Sequence, residues 1–157
     1  MIAAQRPEMR FVEQKSERQQ ARMMLFRARE EIDHHRTELV NALRSHLYEF
    51  GLVVPQGIVH VKRIEAIIKG PDCNLPDLAR EECLDLLDQI AETTPRINTK
   101  TKKIKELAAE TDTARRLQAM PGIGPLIALA IEAFAPAMET FRCVRNFAAW
   151  LGLVPRQ

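Results

Sequence analysis

Apolar residues in this chain are spaced mostly by three and four, the interval of a helix with one buried face. From Ser16 to Phe50 the sequence holds no Gly or Pro, and Ala21, Leu25, Ala28, Ile32, Leu39, Ala42, Leu43, Leu47 and Phe50 fall along one stripe. His35 lies on the same side and reads as a polar residue of the buried face. Ser16 and Gln19 stand in capping-box spacing, in which the hydroxyl accepts from one backbone N–H while the Gln side chain reaches back to the other. Gly51 suits the left-handed residue just past a helix end. A helix of about 35 residues is roughly 50 Å long. That exceeds what a compact domain of this size spans, so it must pack along its length.

The pattern then changes pace. Leu52 to Gly57 is a linker, and Ile58 to Lys69 is a short amphipathic helix with Ile58, Val61, Ile64 and Ile67 or Ile68 inward, stopped by Gly70-Pro71. A second long helix, 76–110, opens at Pro76, which suits a first helical turn. Leu87, Ile90, Thr94, Ile97, Thr101, Ile104 and Ala108 give it a seam of coiled-coil spacing. Pro95 removes a helical hydrogen bond and predicts a kink near residues 91–95. The two long helices could lie antiparallel within one chain, or either could pair with its counterpart in a second chain, making a homo-oligomer. Phe141, Val144, Phe147, Ala148 and Leu151 form a last apolar face, ended by Gly152 with Pro155 beyond, and Trp150 beside it reads as core. Residues 1 to 15 read as extended, with Phe11-Val12 free to pack on the helical part of the chain.

One stretch stands apart. In Thr111 to Ile131, a helical pattern through Ala114, Leu117 and Met120 meets another through Leu126, Ile127, Leu129, Ala130 and Ile131, and Pro121-Gly122-Ile123-Gly124-Pro125 pinches them together. Glycines at 122 and 124 permit positive φ and close approach of a ligand to the backbone, while Pro125 fits the first helical turn. Free N–H groups at a helix start, with the dipole behind them, suit a phosphate. The stretch resembles the helix-hairpin-helix that grips a nucleic-acid backbone without reading sequence; a plain tight turn between packed helices is the other reading. The chain is therefore all-α, with long antiparallel or coiled-coil helices (16–110) after a short extended remnant (1–15), and then a small lobe containing the hairpin (111–157).

Composition narrows the function. Of 157 residues 46% are hydrophobic, enough for a core, and the formal net charge is only +2, so any nucleic-acid surface must come from local clustering. Clusters exist at Lys100, Lys102, Lys103 and Lys105, at Arg115-Arg116 ahead of the hairpin, and at Arg142, Arg145 and Arg156. The candidate nucleic-acid contacts are Gly122, Ile123 and Gly124 with Arg115, Arg116, Lys102, Lys103, Arg142 and Arg145. Cys73, Cys83 and Cys143 are odd in number and scattered, which fits free thiols in a reducing compartment. With no apolar run of membrane-spanning length and no signal-peptide core at the N-terminus, the expected location is cytoplasmic, away from membranes.

Catalytic chemistry is poorly served. Glu81, Asp85, Asp88 and Glu92 recur at helical spacing, but a metal site needs carboxylates from several elements, so a solvated face is the simpler reading. His34, His35, His46 and His60 lack metal-ligand spacing, and no phosphate loop, nucleophile elbow or informative Cys-His pair occurs. No catalytic or metal-binding residue and no cofactor is assigned.

FAAWLGLVPRQ at 147–157, with MPGIGPLIALAI at 120–131 and the stretch from Arg6 to Gly57, resembles insertion-sequence transposases of the IS110/IS1111 group, nearly throughout and in the family's order. The resemblance implies a mobile-element protein with DNA as partner, room for a guide RNA, a RuvC-like domain binding a divalent metal such as Mg through four acidic residues, and a serine nucleophile domain. Neither catalytic motif matches positions here: the acidic segment would precede Met1 and the serine segment would come after Gln157. Ser16 reads as a cap and Ser45 as a flank residue. Val144-Arg145-Asn146 stands where members often read Gly-Arg-Asp. The expectation is a DNA-binding transposase fragment, truncated at both ends and inactive alone, or alternatively a helical oligomerisation module that modulates a full-length relative.

Overall fold

A computed structural model describes residues 14–71 and 73–153, and among these every regular element is helical. The expected extended run and Phe11-Val12 packing in residues 1–13, and the contributions of Pro155 and Arg156, lie outside the described residues. Six α-helices run in order: α1 (Glu17–Glu49), α2 (Val61–Lys69), α3 (Asp77–Glu110), α4 (Asp112–Gln118), α5 (Pro125–Phe134) and α6 (Val144–Trp150). Short 3-10 turns at Ile58–His60 and Met138–Thr140 join them.

The ends of α1 are set as local chemistry requires. Ser16 accepts from the Gln19 N–H at 3.2 Å, and the Ser16 N–H donates to the Gln19 side chain at 3.0 Å, completing the capping box. Gly51, at φ +76, lies just past the C-terminus, and the Leu52 N–H returns to the Leu47 carbonyl at 2.9 Å. α3 runs through Pro95 as one helix. The Ala91 carbonyl, which loses its partner to the proline, belongs to an exposed residue, so water can take it.

The long helices pair antiparallel within the chain. Arg29 Nε donates to Thr101 Oγ1 at 2.9 Å, and two turns nearer the start of α1 Arg22 Nη2 donates to Thr111 Oγ1 at 3.1 Å. Two apolar cores lie on either side of the Arg29–Thr101 bond. The distal one joins Leu39, Val40, Leu43 and Leu47 of α1 to Ile64 and Ile68 of α2 and to Cys83, Leu87 and Ile90 of α3. The proximal one is built from Ile104 and Ala108 of α3, Ala114 of α4 and Ala128 and Leu129 of α5, with Leu25 and Phe26 of α1 packed against it. Phe26 and Phe134 meet edge to face at 5.8 Å between ring centres.

Several expected positions shift. His35 is not on the buried face: its side chain is 58% exposed and lies 3.7 Å from Glu38. Phe50 is exposed, while Val40 and Arg22 are buried. On α3, Thr93 rather than Thr94 is buried, with its hydroxyl returned to the Ile90 carbonyl at 2.7 Å. Trp150 is 43% exposed and α6 buries none of its residues; Phe141, Phe147 and Trp150 instead form a small local cluster with ring centres 5.3 to 6.2 Å apart. Cys73 and Cys83 are buried free thiols, and burial pushes the Cys83 thiol up from its ordinary value, helped by Cys73 and Glu82 nearby.

Candidate nucleic-acid interface

The turn between α4 and α5 is dictated by its residues. Pro121 holds φ near −65° and Gly122 sits at φ +87, the Pro-Gly order of a type II turn, and the Ile123 N–H closes it on the Met120 carbonyl at 3.1 Å. Met120, Pro121 and Gly122 are exposed, whereas Ile123 turns inward onto the proximal core and anchors the loop. Gly124 is the N-cap of α5, and Pro125 occupies the first helical position.

The two glycines differ. Only Gly122 uses positive φ; Gly124 has φ −84 and ψ 173, an extended conformation open to any residue, and a Cβ there would meet nothing within 4 Å. The backbone does not demand glycine at 124. Ser, Thr, Asp or Asn at an N-cap would close over the N–H groups of the next turn, and glycine leaves them open. The Ala128 N–H returns to the Gly124 carbonyl at 3.0 Å, so Leu126 and Ile127 carry the N–H groups of the first turn that no intrahelical carbonyl reaches. No side chain caps them. The Ile123 N–H, by contrast, is spent inside the turn and is not open to a ligand.

Behind the turn, α4 is tied to α3 by Gln118, whose Nε2 donates to the Ala114 carbonyl at 3.1 Å and to the Ala108 carbonyl at 3.4 Å. α5 is held by a clamp at its far end. The Arg22 guanidinium, 5% exposed, is ion-paired to Glu132 and hydrogen-bonded to Thr111, whose hydroxyl gives its own proton to the Leu107 carbonyl at 3.0 Å. The second Glu132 oxygen is buried without a partner. Lys15 Nζ donates to the Phe134 carbonyl, adding a second tie from the start of α1.

The basic candidates do not form a single patch. Arg115 and Arg116 are exposed in the last turn of α4, where the helix dipole already favours a cation, and Arg115 is paired with Asp112 at 3.1 Å. The helix splits the lysine run. Lys102 turns towards Glu106, at 3.9 Å, while Lys103 lines a groove between α1 and α3 that Arg18 also lines. Arg142 and Arg145 are exposed on the segment bearing the aromatic cluster. Arg18 escapes a reading of the sequence because it lies outside the run; the helical phase of Lys103 and the antiparallel pairing together locate it. Glu81, Asp85 and Glu92 are exposed along α3. Among the described residues no three His, Cys, Asp or Glu side chains are grouped to hold a metal ion, and no helix is long and apolar enough to cross a membrane.

Comparison with known proteins bears on the family of the chain. Residues 114–157, which contain the whole α4–α5 turn, match the model of the transposase IS116/IS110/IS902 family. The chain belongs to that transposase family. A putative transposase of Sinorhizobium fredii is 36% identical over 98% of this chain and 40% of its own length. A probable family 20 transposase of Pseudomonas aeruginosa is 37% identical over 99% of this chain and 46% of its own. The transposase for insertion sequence element IS1111A of Coxiella burnetii is 30% identical over 99% of this chain and 43% of its own. The chain thus spans less than half the length of the curated relatives it matches. No solved structure matches it.

Proposed function

We propose that this chain is the part of an insertion-sequence transposase that holds DNA by its backbone, with the α4–α5 turn acting as a helix-hairpin-helix, and that it positions DNA without cutting it. The observation that carries the reading is Gly124. Nothing in the backbone calls for glycine there, yet its lack of a side chain leaves the N–H groups of Leu126 and Ile127 open at a positively polarised helix start. A phosphate fills that description. Arg116 and, once released from Asp112, Arg115 would add charge from α4, and Lys102, Arg142 and Arg145 would extend the contact; such contacts position without specifying sequence.

The test is Gly124→Asp. An Asp N-cap should hold or raise the melting temperature, since it satisfies the open N–H groups of α5. The same carboxylate would sit where a phosphate should, so affinity for a labelled duplex should fall at least about tenfold, with a shallower dependence on salt. Unchanged affinity with an unchanged fold would end the proposal. A second reading, an oligomerisation module acting on a full-length relative, draws on the far end of the long hairpin, where Tyr48, Val53, Val59 and Leu78 are 69 to 80% exposed. Sedimentation separates the two, because a salt-insensitive oligomer that takes up no DNA supports the module.

A further inference from the structure

The groove between α1 and α3 points to a second nucleic-acid contact, apart from the hairpin. We propose that one sugar-phosphate strand lies in this groove, with its phosphates on Arg18 and Lys103. The groove encloses about 400 Å³, and none of its walls comes from α4 or α5. Ala21, Leu25 and Leu107 make an apolar floor, and Arg18 and Lys103 stand exposed on opposite rims. Neither cation forms a salt bridge among the described residues. Arg22, the third cation in the wall, is already committed to Glu132.

Helical phase extends the positive rim. Arg96, Lys100 and Lys103 are spaced by four and three along α3, so they share a face and rise about 10 Å along it. Glu92 lies one turn before Arg96, and Glu110 lines the groove together with the two cations. Charge complementarity selects an anionic occupant. A positively charged groove that tracks the backbone is a general component of single-strand sites.

The ligand class rests on the family reading above, but the site does not rest on the hairpin. The experiment measures binding of a labelled oligo-dT of about 20 nucleotides to the full chain at about 50 and 200 mM salt. The double variant Arg18→Glu/Lys103→Glu is compared with Arg27→Glu/Lys105→Glu, which makes the same charge change at positions outside the groove. Affinity should fall at least about tenfold in the groove variant and the salt slope should drop by about 1.4, two contacts at about 0.7 each for single strands; the control should lose less than about twofold. Equal losses in both variants would mean net charge alone and would overturn the site, as would a wild-type chain that takes up no strand. Melting curves confirm that both variants fold. Gly124→Asp should keep strand binding, so a failed hairpin, read on duplex, and a failed groove, read on the strand, give different results.

Discussion

The two ends of the long antiparallel pair are held by different means. At the distal end, Leu43, Leu47, Ile64 and Ile68 are fully buried, four large side chains from α1 and α2 that meet Leu87 and Ile90 of α3. At the proximal end the fully buried set is small, with Ala108, Ala114, Ala128 and Ala133 around only two larger residues, Ile104 and Leu129. Alanines let helix axes approach closely but remove little apolar surface from water. The shortfall is met by polar ties: the Arg22–Glu132–Thr111 clamp, Lys15 on the Phe134 carbonyl, and Gln118 on two carbonyls. Non-directional burial sets the stability of the distal end. Directional bonds set the geometry of the proximal end, which carries the candidate DNA contacts.

The largest effect should come from Leu43→Ala. A fully buried leucine truncated to alanine costs about 3–5 kcal/mol, its transfer energy plus the cavity left between α1, α2 and α3. Denaturant unfolding should show the whole midpoint moving down. If the loss is under about 1 kcal/mol, the distal core is not where stability is concentrated and the contrast fails.

Arg22→Ala comes next, at about 3 kcal/mol, because it leaves the Glu132 carboxylate buried with neither oxygen paired. The effect should be regional. Hydrogen exchange should quicken in α4 and α5 while α2 and the first half of α3 keep their protection. Restoring the lost balance with Arg22→Met/Glu132→Leu should recover most of the stability, since an apolar pair replaces a buried ion pair at little cost. Uniform quickening along the chain would show that the two ends do not differ in kind.

A smaller loss, about 1–3 kcal/mol, is expected for Ala128→Leu, because the site is closed on every side and the added carbons must displace Ala108, Ala114 or Leu129. The same exchange at a half-buried apolar position of the distal end would be nearly neutral. Thermal melting checks it, and a stabilised variant would mean that the proximal core is underfilled rather than close-packed.

Legibility in the sequence depends on which kind of force acts. The distal core reads directly from it, because Leu39, Leu43, Leu47, Ile64, Ile68, Leu87 and Ile90 are apolar and periodic, and burial tracks periodicity. Ser16 with Gln19 and Pro121-Gly122 are also legible, since cap and turn geometry are local. Arg22 is not. A charged residue goes inside only when a partner waits, and Glu132 is 110 residues away. His35 reads as part of the stripe, but on that turn of α1 Ile32, Asp33 and Arg36 are half-buried and His35 is exposed. Trp150 and α6 carry an apolar face that the described residues leave largely uncovered, so periodicity there predicts a helix correctly and its burial wrongly. The lysine run looks like one patch in sequence; only the turn of the helix divides Lys102 from Lys103.

The finest test separates the two glycines of the turn. Gly122→Ala forces an L-residue into φ +87, a left-handed strain of about 1–2 kcal/mol, even though the added carbon meets no atom. Gly124→Ala meets neither strain nor steric conflict, and the poorer N-cap that alanine makes should cost no more than about 1 kcal/mol. Stability and binding should therefore rank the pair in opposite ways. Gly122→Ala should lower the melting temperature, with duplex affinity falling only as far as the turn loosens. Gly124→Ala should lower the melting temperature less and weaken duplex binding severalfold, because a methyl group would stand between a phosphate and the N–H groups of Leu126 and Ile127. If Gly124→Ala binds duplex as the parent does, the open helix start is only the quiet end of a turn, and the proximal end owes its small residues to packing alone.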